Sequence, residues 1–174
     1  MLLAADQYAE YGLNPEDAAL PKRLEAVESR IRAFTNNPFQ VRAARFEAET
    51  KGGVLMGASP HIKAGDTVQV SRNSLNDGVY TVESVEDGKT KLTVPLFDDD
   101  FNRVTLVRYP ADVIEGAVGI LKYEEAHPRE KAGIASETLS RHSVSYAQIA
   151  QGGTFAGYPP EVMAFLKPHM RPWF

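Results

Sequence analysis

The chain contains no cysteine. That removes disulfide frameworks, thiolate zinc sites and cysteine nucleophiles together, and it suits a protein made in a reducing cytosol. No apolar run approaches the roughly 18 residues a membrane span needs. The apolar start, Met1 to Ala5, ends at Asp6 with no basic leader, so it is not read as a signal peptide and a soluble product is expected. A basic excess is also missing. The formal net charge is −4, which leaves no footprint for sequence-specific nucleic-acid binding, although DNA can pass close by without being gripped.

Motifs for chemistry are equally scarce. There is no Walker-type phosphate loop and no Gly-x-Ser-x-Gly elbow, and Gly52-Gly53 is a lone glycine pair. His61, His127, His142 and His169 are scattered without the spacing of metal ligands. Ser140, Arg141 and His142 are adjacent, but neighbours in an extended chain point to opposite faces, against a nucleophile–base pair. Asp98-Asp99-Asp100 lacks the alternating oxygens, central glycine and terminal glutamate of a calcium loop, and reads as a solvated turn between strands, or else as an acidic rim on an oligomer. No catalytic residue, metal site or cofactor is expected.

What is present is a globular composition: 43% apolar and 24% charged residues over 174 positions, enough for one domain or a small domain carrying an insertion. Leu20, Leu24, Val27, Ile31 and Phe34 form an apolar helical stripe, with Lys22, Arg23, Glu25, Glu28, Arg30 and Arg32 on the other faces. The helix starts either at Pro15 after Asn14 or near Pro21, and Thr35-Asn36-Asn37-Pro38 stops it. From Phe39 to Val107 the period falls to two. Thr67–Ser71, Tyr80–Glu83, Lys91–Val94 and Arg103–Tyr109 read as strands, while Phe39 to Phe46 is ambiguous. Turn signals lie at Lys63-Ala64-Gly65-Asp66, Asn76-Asp77-Gly78 and Glu86-Asp87-Gly88-Lys89. Short strands and tight turns over about 70 residues predict a small antiparallel barrel, SH3-like or OB-like in size.

Helical patterning returns at Val113, Ile114, Ala117, Ile120, Leu121 and Tyr123 or Glu124, interrupted by Gly116 and Gly119. Those glycines mark either close helix–helix approach or simply a poor helix. Residues 133–146 read as a Ser/Thr-rich extended arm, which either adds as a strand to a neighbouring chain or folds back on its own domain. A last helix is expected from about Pro160 to Lys167, with Val162, Met163, Phe165 and Leu166 available for packing. The closing Trp173-Phe174 pair either packs on its own helices or anchors in a partner's pocket. The fold class expected is α+β: a helical domain formed by 1–38 and 108–174, with a β-barrel inserted at 39–107.

The arm carries a resemblance. Gly133-Ile134-Ala135-Ser136-Glu137-Thr138-Leu139-Ser140-Arg141-His142-Ser143-Val144-Ser145-Tyr146 is similar to the arm of head–tail connector proteins (adaptor or head completion proteins) of tailed bacteriophages and prophages, with the pattern G-(I/V)-x-S-E-x-(I/L)-(G/S)-x-(H/Y)-S-V-(T/S)-Y. A terminal helix follows it there, as Tyr158 to Pro168 does here, and the helix at Leu20–Phe34 stands where the family has one. The likeness covers about 100 residues of helical sequence; the β insert departs from the shortest members.

The resemblance implies a homo-oligomeric ring, dodecameric in the family, that docks on the portal protein, extends the channel for genomic DNA and receives a stopper or tail-completion protein. It implies a location in the virion neck after synthesis in the bacterial host cytoplasm. Carried over, portal docking would fall to Phe165, Leu166, Met170, Arg171, Trp173 and Phe174, and subunit contacts to Ile134, Ser136, Glu137, Leu139, His142, Val144 and Tyr146. Two other readings stand beside it: another neck protein, such as a stopper or tail-completion protein, and a protein-binding module outside phage biology.

Overall fold

The computed structural model describes residues 2–127, 136–139, 142–145 and 158–172. Two long helices, α1 (Leu20–Thr35) and α2 (Ala111–Ala126), flank six strands: β1 (Gln40–Lys51), β2 (Val54–Leu55), β3 (Thr67–Ser71), β4 (Gly78–Glu86), β5 (Lys89–Leu92) and β6 (Asp99–Val107). A two-stranded sheet, β7 (Ser136–Leu139) with β8 (His142–Ser145), and a short helix α3 (Pro160–Met163) complete the order, α3 running straight into a 3-10 helix at Ala164–His169.

The six strands close into an antiparallel barrel in the order β1-β2-β5-β4-β3-β6. The class is α+β, helices with a small closed barrel. Alternation builds its interior: Ala44, Ala48, Leu55, Val68, Val70, Val82, Leu92, Val104 and Leu106 are buried together. The ambiguous stretch after Phe39 is the longest strand, β1, and two register shifts against β6 let its twelve residues bend around the barrel. Its sequence hid it because the bulged segment breaks the two-residue period. Asp87-Gly88 forms the expected two-residue hairpin turn, both residues at positive φ. Gly52-Gly53 forms a second one, joining Lys51 to Val54.

Three expectations are corrected. Asn76-Asp77-Gly78 is not a tight turn: a six-residue loop, 72–77, joins β3 to β4. Asp99 and Asp100 open β6 rather than forming a turn, and only Asp98 precedes the strand. Strand β5 stops at Leu92, one residue before a last cross-strand bond from the Thr93 amide to the Thr81 carbonyl at 3.0 Å, and Pro95 beyond it has no amide to donate.

A second buried cluster holds the helices. Leu20, Leu24, Val27 and Ile31 of α1 pack with Val113, Ala117, Val118, Ile120 and Leu121 of α2 and with Met163 and Leu166. Leu2, Leu3, Tyr8 and Leu13 join them, so the apolar start of the chain is core. Helix α1 begins at Leu20 with Pro21 in its first turn, where a missing amide costs nothing. The expected terminal helix is split, α-helical to Met163 and 3-10 beyond, since Pro168 has no amide to donate and its ring would meet the Ala164 carbonyl in a continued α-helix.

Gly116 settles one of the open alternatives. A β-carbon there would overlap the Phe165 ring, whereas one at Gly119 would meet nothing within 4 Å. Substituting alanine should therefore have opposite effects at the two sites. Gly119→Ala is expected to stabilise by about 0.5–1 kcal/mol through helix propensity, and Gly116→Ala to destabilise by about 1 kcal/mol as the ring is displaced. Paired urea titrations would read both.

Candidate interaction surfaces

The joint between helices and barrel is polar and fully engaged. Glu28, expected on an outer face of α1, is buried and accepts a hydrogen bond from the Tyr109 hydroxyl at 2.8 Å. Position 28 lies one turn on from Leu24 and beside Val27, so it shares the buried face with the apolar stripe. Burial and the adjacent Glu28 carboxylate push the Tyr109 phenol well above its ordinary value, so it remains a donor. Arg32 donates to the Pro38 carbonyl at 2.8 Å and to Gln69 Oε1 at 2.7 Å, tying α1 to β3. Phe39 turns the chain into the barrel at φ 51°, a conformation costly for an aromatic residue. Its amide is held by Asn37 Oδ1 at 3.0 Å, its carbonyl by the Arg108 amide, and its ring lies 4.9 Å from that of Tyr109. Beside this joint is a cleft of about 390 Å³ lined by Glu25, Arg32, Tyr80, Val79 and Val94. Glu28 and Arg32 on its wall serve the joint, so the arrangement fixes the helix on the barrel rather than presenting a reactive pair.

The C-terminal residues expected to dock on a partner divide. Leu166 is fully buried and Phe165 half-buried against α2, so both serve the chain's own helical core. Met170 is 46% exposed and Arg171 is exposed. Their backbone is pinned: the Arg171 amide donates to the Thr35 carbonyl at 2.8 Å, Asn36 Nδ2 to the Pro172 carbonyl at 2.8 Å, and Asn37 Nδ2 to the His169 carbonyl at 3.0 Å. The His169 ring meets Asp112 at 2.7 Å, a contact that draws the Asp112 carboxyl below its ordinary range. His169 is thus a structural group, not a loose surface histidine. Trp173 and Phe174 lie outside the described residues.

Of the arm residues, Ser136, Glu137, Leu139, His142 and Val144 fall on β7 and β8, which pair antiparallel with Ser136 opposite Ser145 and Leu139 opposite His142. The described parts of the arm are extended, as two strands paired with each other. Ile134 and Tyr146 lie outside the described residues, as do Ser140 and Arg141.

A surface that the sequence did not advertise lies at one end of the barrel. Three connections meet there: the Gly52-Gly53 turn, the 72–77 loop and the segment before β6. Asn76 binds the Phe97 backbone twice, at 2.9 Å through its amide nitrogen and 2.9 Å through its oxygen. It also donates to Asn102 Oδ1 at 3.0 Å, and Asn102 donates to Thr50 Oγ1 at 2.8 Å. Asp98 Oδ1 accepts the Gly53 amide at 3.2 Å. These buried amides hold the loops still while leaving Leu75 64%, Phe97 66% and Phe101 38% exposed. Asn76 and Asn102 look like loop residues in sequence; only their burial reveals the network.

Among the described residues no group of three or more histidines and carboxylates is placed to hold a metal ion, and no helix is long and apolar enough to cross a membrane. No protein-family model matches the chain, and comparison with curated proteins finds no significant relative.

Proposed function

We propose that this chain is a structural subunit of a head–tail connector in a tailed phage or prophage. It would form a ring that docks on the portal, continues the DNA channel and offers a platform to a stopper or tail-completion protein. The observation that carries the reading is the connector-like sequence of the arm at 133–146, within which β7 and β8 pair as a two-stranded sheet separate from the barrel. In this reading the helices are the connector domain and the barrel is an insertion of SH3-like or OB-like size. The negative net charge suits a conduit, because a basic wall would retain DNA by counterion release.

Docking on the portal is assigned to the C-terminal end, now narrowed to Met170, Arg171, Trp173 and Phe174, with subunit contacts in the arm. Two truncations test the division. Removing 170–174 should abolish capture by portal rings, whereas removing 134–146 should abolish ring closure. Portal capture unaffected by the first truncation would refute the assignment. The exposed aromatic end of the barrel favours a second reading, a protein-binding module outside phage biology, which predicts a partner bound with no portal present.

A further inference from the structure

The barrel has two chemically opposite ends, set about 25 Å apart along β6. One end carries Leu75, Phe97 and Phe101, exposed and held by the buried asparagines. Around them stand Glu49, Asp77, Asp98, Asp99 and Asp100 against the cations Lys51 and Arg72. Lys51 is bonded to Glu49 at 2.7 Å, and its ammonium is stabilised by Glu49 and by the fields of Asp100 and Asp98. That end is therefore apolar at its centre and negative at its rim.

The other end carries Arg42, Arg45 and Arg108, all exposed where β1 begins and β6 finishes. Arg45 donates to the Arg42 carbonyl at 2.8 Å, and no carboxylate among the described residues pairs with any of the three. Two carboxylates of neighbouring segments are engaged elsewhere: Asp66 accepts the Lys63 amide at 2.9 Å and Asp112 holds His169. Arginine is the side chain that best matches the opposite end. Its planar guanidinium stacks on aromatic faces, pairs with carboxylates, and covers apolar surface with its stem.

We propose that the acidic, aromatic end of the barrel docks on the arginine end of a second copy of the chain. Phe97 and Phe101 receive Arg42 and Arg108, and Asp98 and Asp100 complete the pairing. Such a contact is heterologous, joining different patches on the two copies, and it propagates into a ring or an open string depending on the rotation per step. It deepens the connector reading, resting on its claim that copies of the chain meet, and adds the barrel as the element through which they do.

The test is the mass of the full-length protein in solution, by sedimentation across concentration and salt, with two surface variants. Phe97→Ala/Asp100→Arg alters only the acidic end; Arg42→Glu/Arg108→Glu alters only the arginine end. Wild type should self-associate, less at high salt. Each variant alone should associate about tenfold more weakly or worse. An equimolar mixture of the two should recover a 1:1 pair, because one intact end of each kind remains; recovery also certifies that both variants fold. Wild type that stays monomeric at every concentration would overturn the proposal. So would self-association that both variants keep but a 134–146 deletion removes; that result would leave the connector reading standing on the arm. Rings absent even with the portal present would remove the connector reading as well.

Discussion

Replacing Asn102 with alanine is expected to destabilise the barrel by about 2–4 kcal/mol, on the order of one to two stranded buried groups. Asn102 is fully buried, donates to Thr50 Oγ1 at 2.8 Å and accepts from Asn76 Nδ2 at 3.0 Å. Alanine takes from Thr50 Oγ1 its Asn102 donor and from one Asn76 N–H its acceptor, while the other Asn76 N–H keeps the Phe97 carbonyl, and an unmade buried hydrogen bond costs more than a made one contributes. The effect should reach the surface. Asn76 holds Phe97 through two hydrogen bonds, so loosening Asn76 should release the aromatic end of the barrel and weaken any contact made there. Hydrogen exchange should show faster exchange at the Phe97 amide in Asn102→Ala, with the helices unchanged. Phe97→Ala, by contrast, removes an exposed ring and should alter stability by less than about 0.5 kcal/mol. Equal costs for the two substitutions would mean that the asparagine network does not hold the loops.

Leu24→Ala is expected to cost about 2–5 kcal/mol, the range for a leucine lost from a fully enclosed site. Leu24 is inaccessible to solvent and packs in the helical cluster with α2 and the C-terminal 3-10 helix. Because Leu166 shares that cluster and the residues after it are pinned to the end of α1, the cavity should loosen the C-terminal segment too. Urea titration measures the cost, and exchange at the Arg171 amide reports the coupling. A loss below 1 kcal/mol would indicate that the chain collapses into the space, and that the helices are less tightly packed than their burial implies.

These two substitutions fall on opposite sides of what could be read in advance. Leu24 belongs to a stripe of four-three spacing, so its burial follows from periodicity alone. The alternating strands and the Asp87-Gly88 turn were legible for the same reason: a local rule sufficed. Asn102 sits in a strand of mixed pattern, and Asn76 follows a loop serine and leucine, so nothing local distinguishes a buried asparagine from a solvated one. Polarity alone places Glu28 on an outer helix face, whereas Tyr109, 81 positions away, supplies the donor that lets a carboxylate lie inside. Five apolar residues before Asp6 carry no helical or strand period, so nothing local marks Leu2 and Leu3 as part of the helical core they fill. The surface proposals show the same division. The arm was visible as a pattern, whereas the two ends of the barrel exist only once β6 spans the distance between Asp99 and Val107.

The ring we propose on a portal can be seen by imaging the two together. Purified protein mixed with portal rings, separated by size and viewed in negative stain, should give portals capped on one face by a ring with an open centre. Portals that remain bare, with the chain running separately at its own mass, would rule the ring out.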